Sequence, residues 1–219
     1  MSEVSIAAGE VELAGELTMP ERMRGVVMLL GCGESRRFSP RSVATAKRFQ
    51  DAGFGTLLID FVTPAEDAAD RNGQGSKFDL EKLSGRAVAA TEWLQRVAQS
   101  AGCGVGYFAM GRATPVALRA AAHHPDHVSA VVCAGGRPDL AMETLPKIRA
   151  ATLLIVGALD RRSAESHRRA LAYLRCERHL ESIAGASQRF AERGALEQVA
   201  ELATSWLLVH VPAFATALA

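Results

Sequence analysis

Five short apolar runs constrain this chain more than any other feature. They read "GVVMLL" (25–30), "FGTLLID" (54–60), "GVGYFAM" (104–110), "VSAVVCAG" (128–135) and "ATLLIVGALD" (151–160). Each is too short for a long helix and too continuously apolar for a strand with one wet face. Such runs suit strands buried on both sides. Longer amphipathic segments lie around them: "SPRSVATAKRFQDAG", "DLEKLSGRAVAATEWLQRVAQS", "RATPVALRAAAHH", "SAESHRRALAYLR" and "ALEQVAELATSWLLVH". In the first, Ser39 is a natural N-cap, Pro40 fits the first helical position and Gly53 supplies a stop. "RHLESIAG" adds a late strand, and "VELAGELTMP" an early, partly exposed one. Strands that alternate with helices this regularly predict a mostly parallel sheet with helices on both faces. The 219 residues suffice for one such α/β domain. The polar stretch "TPAEDAADRNGQGSK" (63–77) reads as a loop long enough to line a site, and as the lid of a minimal cap.

In open α/β sheets ligands bind beyond the carboxyl ends of the strands. That rule selects Gly31 to Arg37, the segment from Phe61, Gly111–Arg112, Gly135–Arg137, Asp160–Arg162 and Ser187–Arg189. Composition removes several function classes. A formal net charge of +1 gives no reason to expect a nucleic-acid or membrane partner. The first residues lack the basic and apolar regions of a secretion signal, and "WLLVHVPAFA" is too short to span a bilayer. Four scattered cysteines without a CxxC pair fit reduced cytoplasmic thiols better than disulfides or zinc. There is no GxxxxGK[ST], no GxGxxG after a strand and no HExxH, so no cofactor and no metal are expected.

"SPRSVATAKRFQDAGFGTLLIDFVTP", "GYFAMGRATPVAL", "GGRPDL", "IRAATLLIVGALD" and "IAGASQRFAERGALEQVAELATSWLLVH" occur in that order. Together they resemble the dienelactone-hydrolase-like branch of the α/β-hydrolase family over nearly the whole chain. The resemblance implies a single-domain α/β-hydrolase fold spanning 1–219. It also implies a Ser–Asp–His triad whose serine sits on a strained strand-to-helix turn. Carried over residue by residue, it sets Gly111, within Ala109-Met110-Gly111-Arg112-Ala113, at the nucleophile position. Asp160, after "TLLIVG", is the retained acid. Gln188, in the turn Gly185-Ala186-Ser187-Gln188, stands where the histidine base belongs. The loop "GCGESRR", Gly31 to Arg37, matches the oxyanion loop without its histidine.

The triad read this way is degenerate. Glycine has no side chain with which to attack a carbonyl, and a glutamine amide is not a useful base near neutral pH. Losing such groups removes most of the catalytic power of a triad. Thr114 and Ser187 are nearby hydroxyls, but Thr114 falls in the first helical turn and should point away. Of six histidines, only His167 falls near the expected site; His123, His124, His127, His179 and His210 fall elsewhere. Cys32 is a candidate nucleophile whose pKa Arg36 or Arg37 would lower, or simply a small residue in a tight loop. Arginines follow several strands, among them Arg36, Arg37, Arg112, Arg137, Arg161, Arg162 and Arg189. They suit a carboxylate or phosphate, with Gly31 and Gly33 giving close backbone approach; as surface charges they would pair with neighbours instead.

Three readings follow. The old pocket binds a small, possibly acidic organic molecule, in a monomer or a homodimer. Alternatively, rebuilt non-covalent chemistry, of a lyase, isomerase or cyclase, uses Asp160 or Glu34. The third is a weak or Cys32-based ester or lactone hydrolase.

Overall fold

The computed structural model describes residues 2–21, 23–31, 37–71, 79–100 and 103–212. Eight strands form one sheet: β1 (Ser2–Ala8), β2 (Val11–Thr18), β3 (Gly25–Gly31), β4 (Gly55–Asp60), β5 (Gly104–Met110), β6 (Ala130–Ala134), β7 (Ala151–Gly157) and β8 (Arg178–Ile183). Their order across the sheet is β1-β2-β4-β3-β5-β6-β7-β8. β1 and β2 form an antiparallel hairpin, and β2 is also antiparallel to β4. From β4 to β8 every pairing is parallel. The helices are α1 (Pro40–Asp51), α2 (Pro64–Arg71), α3 (Leu80–Ser100), α4 (Thr114–His123), α5 (Arg161–Tyr173) and α6 (Ala195–His210).

Alternation along the strands sorts side chains into two cores. In β5, Val105, Tyr107 and Ala109 pack with α3 and α4, while Phe108 and Met110 pack with α1 and α6. Both faces of this strand are covered, so its sequence carries no polar residue apart from Tyr107, whose hydroxyl meets Thr91. Burial pushes the Tyr107 phenol well above its usual range. The register aligns the strand ends: Met110 lies beside Ala134, and Ala134 beside Ile155. The loops that follow β5, β6 and β7 therefore leave the sheet together.

Ser39 caps α1 as the sequence predicts, its hydroxyl accepting from the Ser42 amide at 3.1 Å. Two elements differ from the sequence reading. β1 is a strand that the apolar pattern does not signal, because "SEVSIAA" alternates weakly and lies on the exposed edge of the sheet. The stretch read as a loop opens with α2. Thr63 and Glu66 form a reciprocal capping box there: the Thr63 amide donates to Glu66 Oε2 at 3.0 Å, and the Glu66 amide to Thr63 Oγ1 at 3.2 Å. Glu66 also takes a bidentate pair from Arg86, at 2.6 and 2.8 Å, and a contact from Lys82 at 3.0 Å. Arg86 holds the Glu66 carboxyl far below the usual carboxylate range. The described part of the expected lid is thus pinned to α3, while residues 72–77 lie outside the described residues. Among the described residues no helix is long and apolar enough to cross a membrane.

Candidate functional site

β5 ends at Met110, and the chain turns sharply through Gly111, at φ +57°. A single tight turn, Gly111–Ala113, leads into α4. Among the described residues, no heavy atom lies within 4 Å of the position a Cβ on Gly111 would take. The neighbouring loops leave no such room. A Cβ on Gly136, at φ +83°, would lie 1.9 Å from the Gly111 carbonyl oxygen. One on Gly135 would lie 2.9 Å from the Gln188 carbonyl, and one on Gly157 2.3 Å from that of Ser187. Thr114 adds a tie, its hydroxyl donating to the Gly135 carbonyl at 2.8 Å. Its side chain is buried and engaged, which matches the expectation that it points away from the turn. Gly111, Gly135, Gly136, Gly157 and the Ser187–Gln188 turn therefore meet at one edge of the sheet.

The segment after β8 is held in an unusual shape. The Ser187 amide donates to the Glu192 carboxylate at 3.0 Å, which lowers the pKa of that acid. Two residues past Gln188, Phe190 is buried at φ +51°, a conformation that costs a non-glycine residue of order 1 kcal/mol or more. The Arg41 guanidinium donates to the Arg189 carbonyl and ties α1 to this turn. The side chains of Arg112, Gln188 and Arg189 are exposed. Asp160 is half-buried and caps α5, its Oδ1 accepting from the Ser163 amide at 3.0 Å.

The arginines divide. Arg37 shares a small cleft with Gly31, Ser42, Phe108 and Met110, next to the Gly111 turn. Its backbone amide donates to Asp60 at 3.0 Å, and its guanidinium lies 3.5 Å from Asp60 and 3.8 Å from Glu3. Arg137 forms a forked pair with Asp139, at 2.8 and 2.6 Å. Asp139 also accepts from Ser166 at 2.6 Å, and Arg137 above all holds its carboxyl far below the usual range. Arg161 lines a separate groove between α5 and β8, with Glu165, Arg168 and Ser182. Arg137 is thus held by Asp139, the neighbour pairing that the sequence also allowed, and Arg161 lies along a separate groove. Cys32, Gly33, Glu34 and Arg36 lie outside the described residues. Cys133 is fully buried, and its thiol is pushed up to about 12 by desolvation, so it is no nucleophile.

His167, the one histidine that the sequence sets near the site, is held as a buried structural residue. It is fully buried, and its Nδ1 lies 2.7 Å from the Ser163 carbonyl. A carbonyl can only accept, so Nδ1 carries the proton. Nε2 is buried and has no hydrogen-bond partner among the described residues. Burial depresses the pKa of the ring, against the smaller opposing influence of the Ser163 and Gly135 carbonyls, Asp139 and Asp160. Its place seven residues after Asp160, two helical turns on, was the available signal that it shares a helix face with the cap. Among the described residues no group of three or more His, Cys, Asp or Glu side chains could hold a metal ion.

A solved structure of a dienelactone hydrolase from Anabaena variabilis is 40% identical, with a TM-score of 0.90, covering 96% of this chain and 97% of that one. The chain belongs to the dienelactone hydrolase family. Its strand order, elbow turn and site edge are features of an α/β-hydrolase fold, and a dienelactone hydrolase-like promiscuous phosphotriesterase from metagenomic libraries shares that fold at 17% identity and a TM-score of 0.77, over 96% of this chain and 98% of that one. A Mycobacterium tuberculosis protein that carries the provisional name phosphoribosyl transferase is 42% identical over 209 residues, which are 95% of this chain and 46% of that protein. The chain thus spans about half the length of the curated relatives it matches. No family model matches.

Proposed function

We propose that this member of the dienelactone hydrolase family binds a small organic anion over Gly111 and does not perform Ser–His–Asp hydrolysis there. One observation carries the reading. The residue at the strand-to-helix turn has the left-handed conformation of an elbow and, among the described residues, open space above it, yet no side chain. The space a nucleophile would fill is therefore available to a ligand. Gln188, on the adjoining turn, brings no base to replace the one the family uses.

The charge of the ligand rests on the surroundings. Arg112 and Arg189 are exposed beside the two substituted positions. The turn leads into the N-terminus of α4, whose first turn holds no acidic residue and whose dipole favours negative charge. The name of the mycobacterial relative makes a phosphorylated pentose the first compound to try, with small carboxylic acids beside it. Asp160 is already spent on capping α5 through Oδ1, which counts against the reading in which it drives rebuilt chemistry.

Native mass spectrometry of the purified protein, followed by calorimetry with ribose 5-phosphate and a set of small carboxylates, tests the reading. A bound acid is expected, and Arg112→Ala with Arg189→Ala should weaken it at least about tenfold, or 1.4 kcal/mol. Binding that ignores both substitutions, or no binding across the set, would overturn it.

A further inference from the structure

β8 is the last strand of the sheet, and among the described residues no strand pairs with its outer edge. Its side chains alternate. Leu180 packs toward the α5 side, with the core that contains Ala170 and Leu174. His179 faces the other side, where its ring stacks on Trp206 of α6, with centroids 6.5 Å apart. Trp206 is tied to the start of β7 by its indole N–H, which donates to the Ala151 carbonyl at 3.1 Å. Leu202, Trp206 and Val209 recur at helical spacing and form a stripe along the flank of α6 that borders β8. Leu202 and Trp206 are only partly buried, and Val209 is 75% exposed. An open strand edge beside an apolar helix stripe is a surface that soluble proteins seldom leave uncovered.

The sequence of β8 indicates what covers it. A closed dimer needs a two-fold axis, and a strand can pair with its own copy about such an axis only antiparallel. With the axis normal to the sheet, directly opposed residues keep to the same face, so the pairing must centre on a residue. Centred on His179, the strands would set the ring against itself and Glu177 against Glu181 of the partner copy. Centred on Glu181, two carboxylates would meet. Centred on Leu180, they place His179 opposite Glu181 of the partner copy, twice, with Leu180 against its own equivalent and Arg178 against Ser182. A histidine opposite a carboxylate can hydrogen-bond across a strand pair, whereas like charges directly opposite destabilise. The same axis lays the α6 stripes of the two copies side by side.

We propose that the protein forms a two-fold dimer through β8 and α6, in the Leu180-centred register, giving a continuous sixteen-stranded sheet from two eight-stranded ones. The occupant of the edge is a second copy of this chain. This inference is independent of what binds over Gly111.

Sedimentation velocity on the full chain at tens of micromolar tests it, with circular dichroism confirming that each variant folds. The native chain should sediment as a dimer. His179→Glu sets carboxylates against Glu181 of the partner copy, and Glu181→Lys sets cations against His179, so each variant alone should be monomeric. Mixing the two variants makes both cross-strand pairs complementary again, and a dimer containing one chain of each should return. Within one chain His179 Nε2 lies 2.9 Å from Glu181 Oε1; that pair stays broken on mixing, so recovery reports the interface itself. A monomeric native chain, a dimer that survives both substitutions, or no recovery on mixing would each overturn the proposal.

Discussion

Gly111 and Gly136 stand almost back to back at the same edge of the sheet, and both have positive φ. At Gly136 a side chain is impossible, because its Cβ would fall on the Gly111 carbonyl. At Gly111 none of the described residues obstructs one. One glycine is there because loops pack against it. The other holds a turn open where a side chain would fit. The contrast teaches that the turn at Gly111 has positive φ without the close packing that forbids a Cβ at Gly136. On the proposed reading, what this edge lacks is chemistry, not space.

The largest effect should come from closing the tight side. Gly136→Ala must push the loop after β6 off the elbow and should cost about 3 kcal/mol or more in urea unfolding. Gly111→Ala adds a methyl to open space and should cost only about 1 to 2 kcal/mol, the penalty of a left-handed alanine. Similar costs for the two would break the comparison. Between these lies Glu66→Gln, away from the edge, which removes the charge that pins α2 to Arg86. A loss of about 2 kcal/mol near neutral pH is expected for a partly exposed, multiply bonded pair. Because the folded pKa of Glu66 is depressed from 4.5, its contribution is fully present above that value and fades as the pH falls through and below it. The gap between native chain and variant should therefore narrow in acid; a gap that widens would mean that Glu66 does not act through its charge.

The parallel core was legible because doubly buried strands admit so little else. β3 to β7 read as apolar runs, and each became a strand. α2 escaped because its helix signal is one capping box in a polar stretch, where an amphipathic pattern has no core to face. β1 escaped because its edge position leaves only a few inward residues, such as Ile6, to carry the pattern. The triad positions could be aligned from motifs, but the state of each residue could not. That Asp160 caps a helix, that Arg37 is held by Asp60 and Glu3, and that Arg137 is forked onto Asp139 are facts of three-dimensional partnership. His167 was placed in a helix correctly, yet its complete burial depends on how α5 meets the loop after β6.

The central claim is that the elbow holds a space and not a nucleophile. Treating the protein with a fluorescent alkyl fluorophosphonate and locating any adduct by peptide mass spectrometry tests it most directly, with the Gly111→Ser, Gln188→His double variant alongside. The native chain should remain unlabelled, and the double variant should acquire an adduct at position 111, because the elbow geometry and the space above it are already present. Covalent labelling of the native chain at any residue would contradict this account.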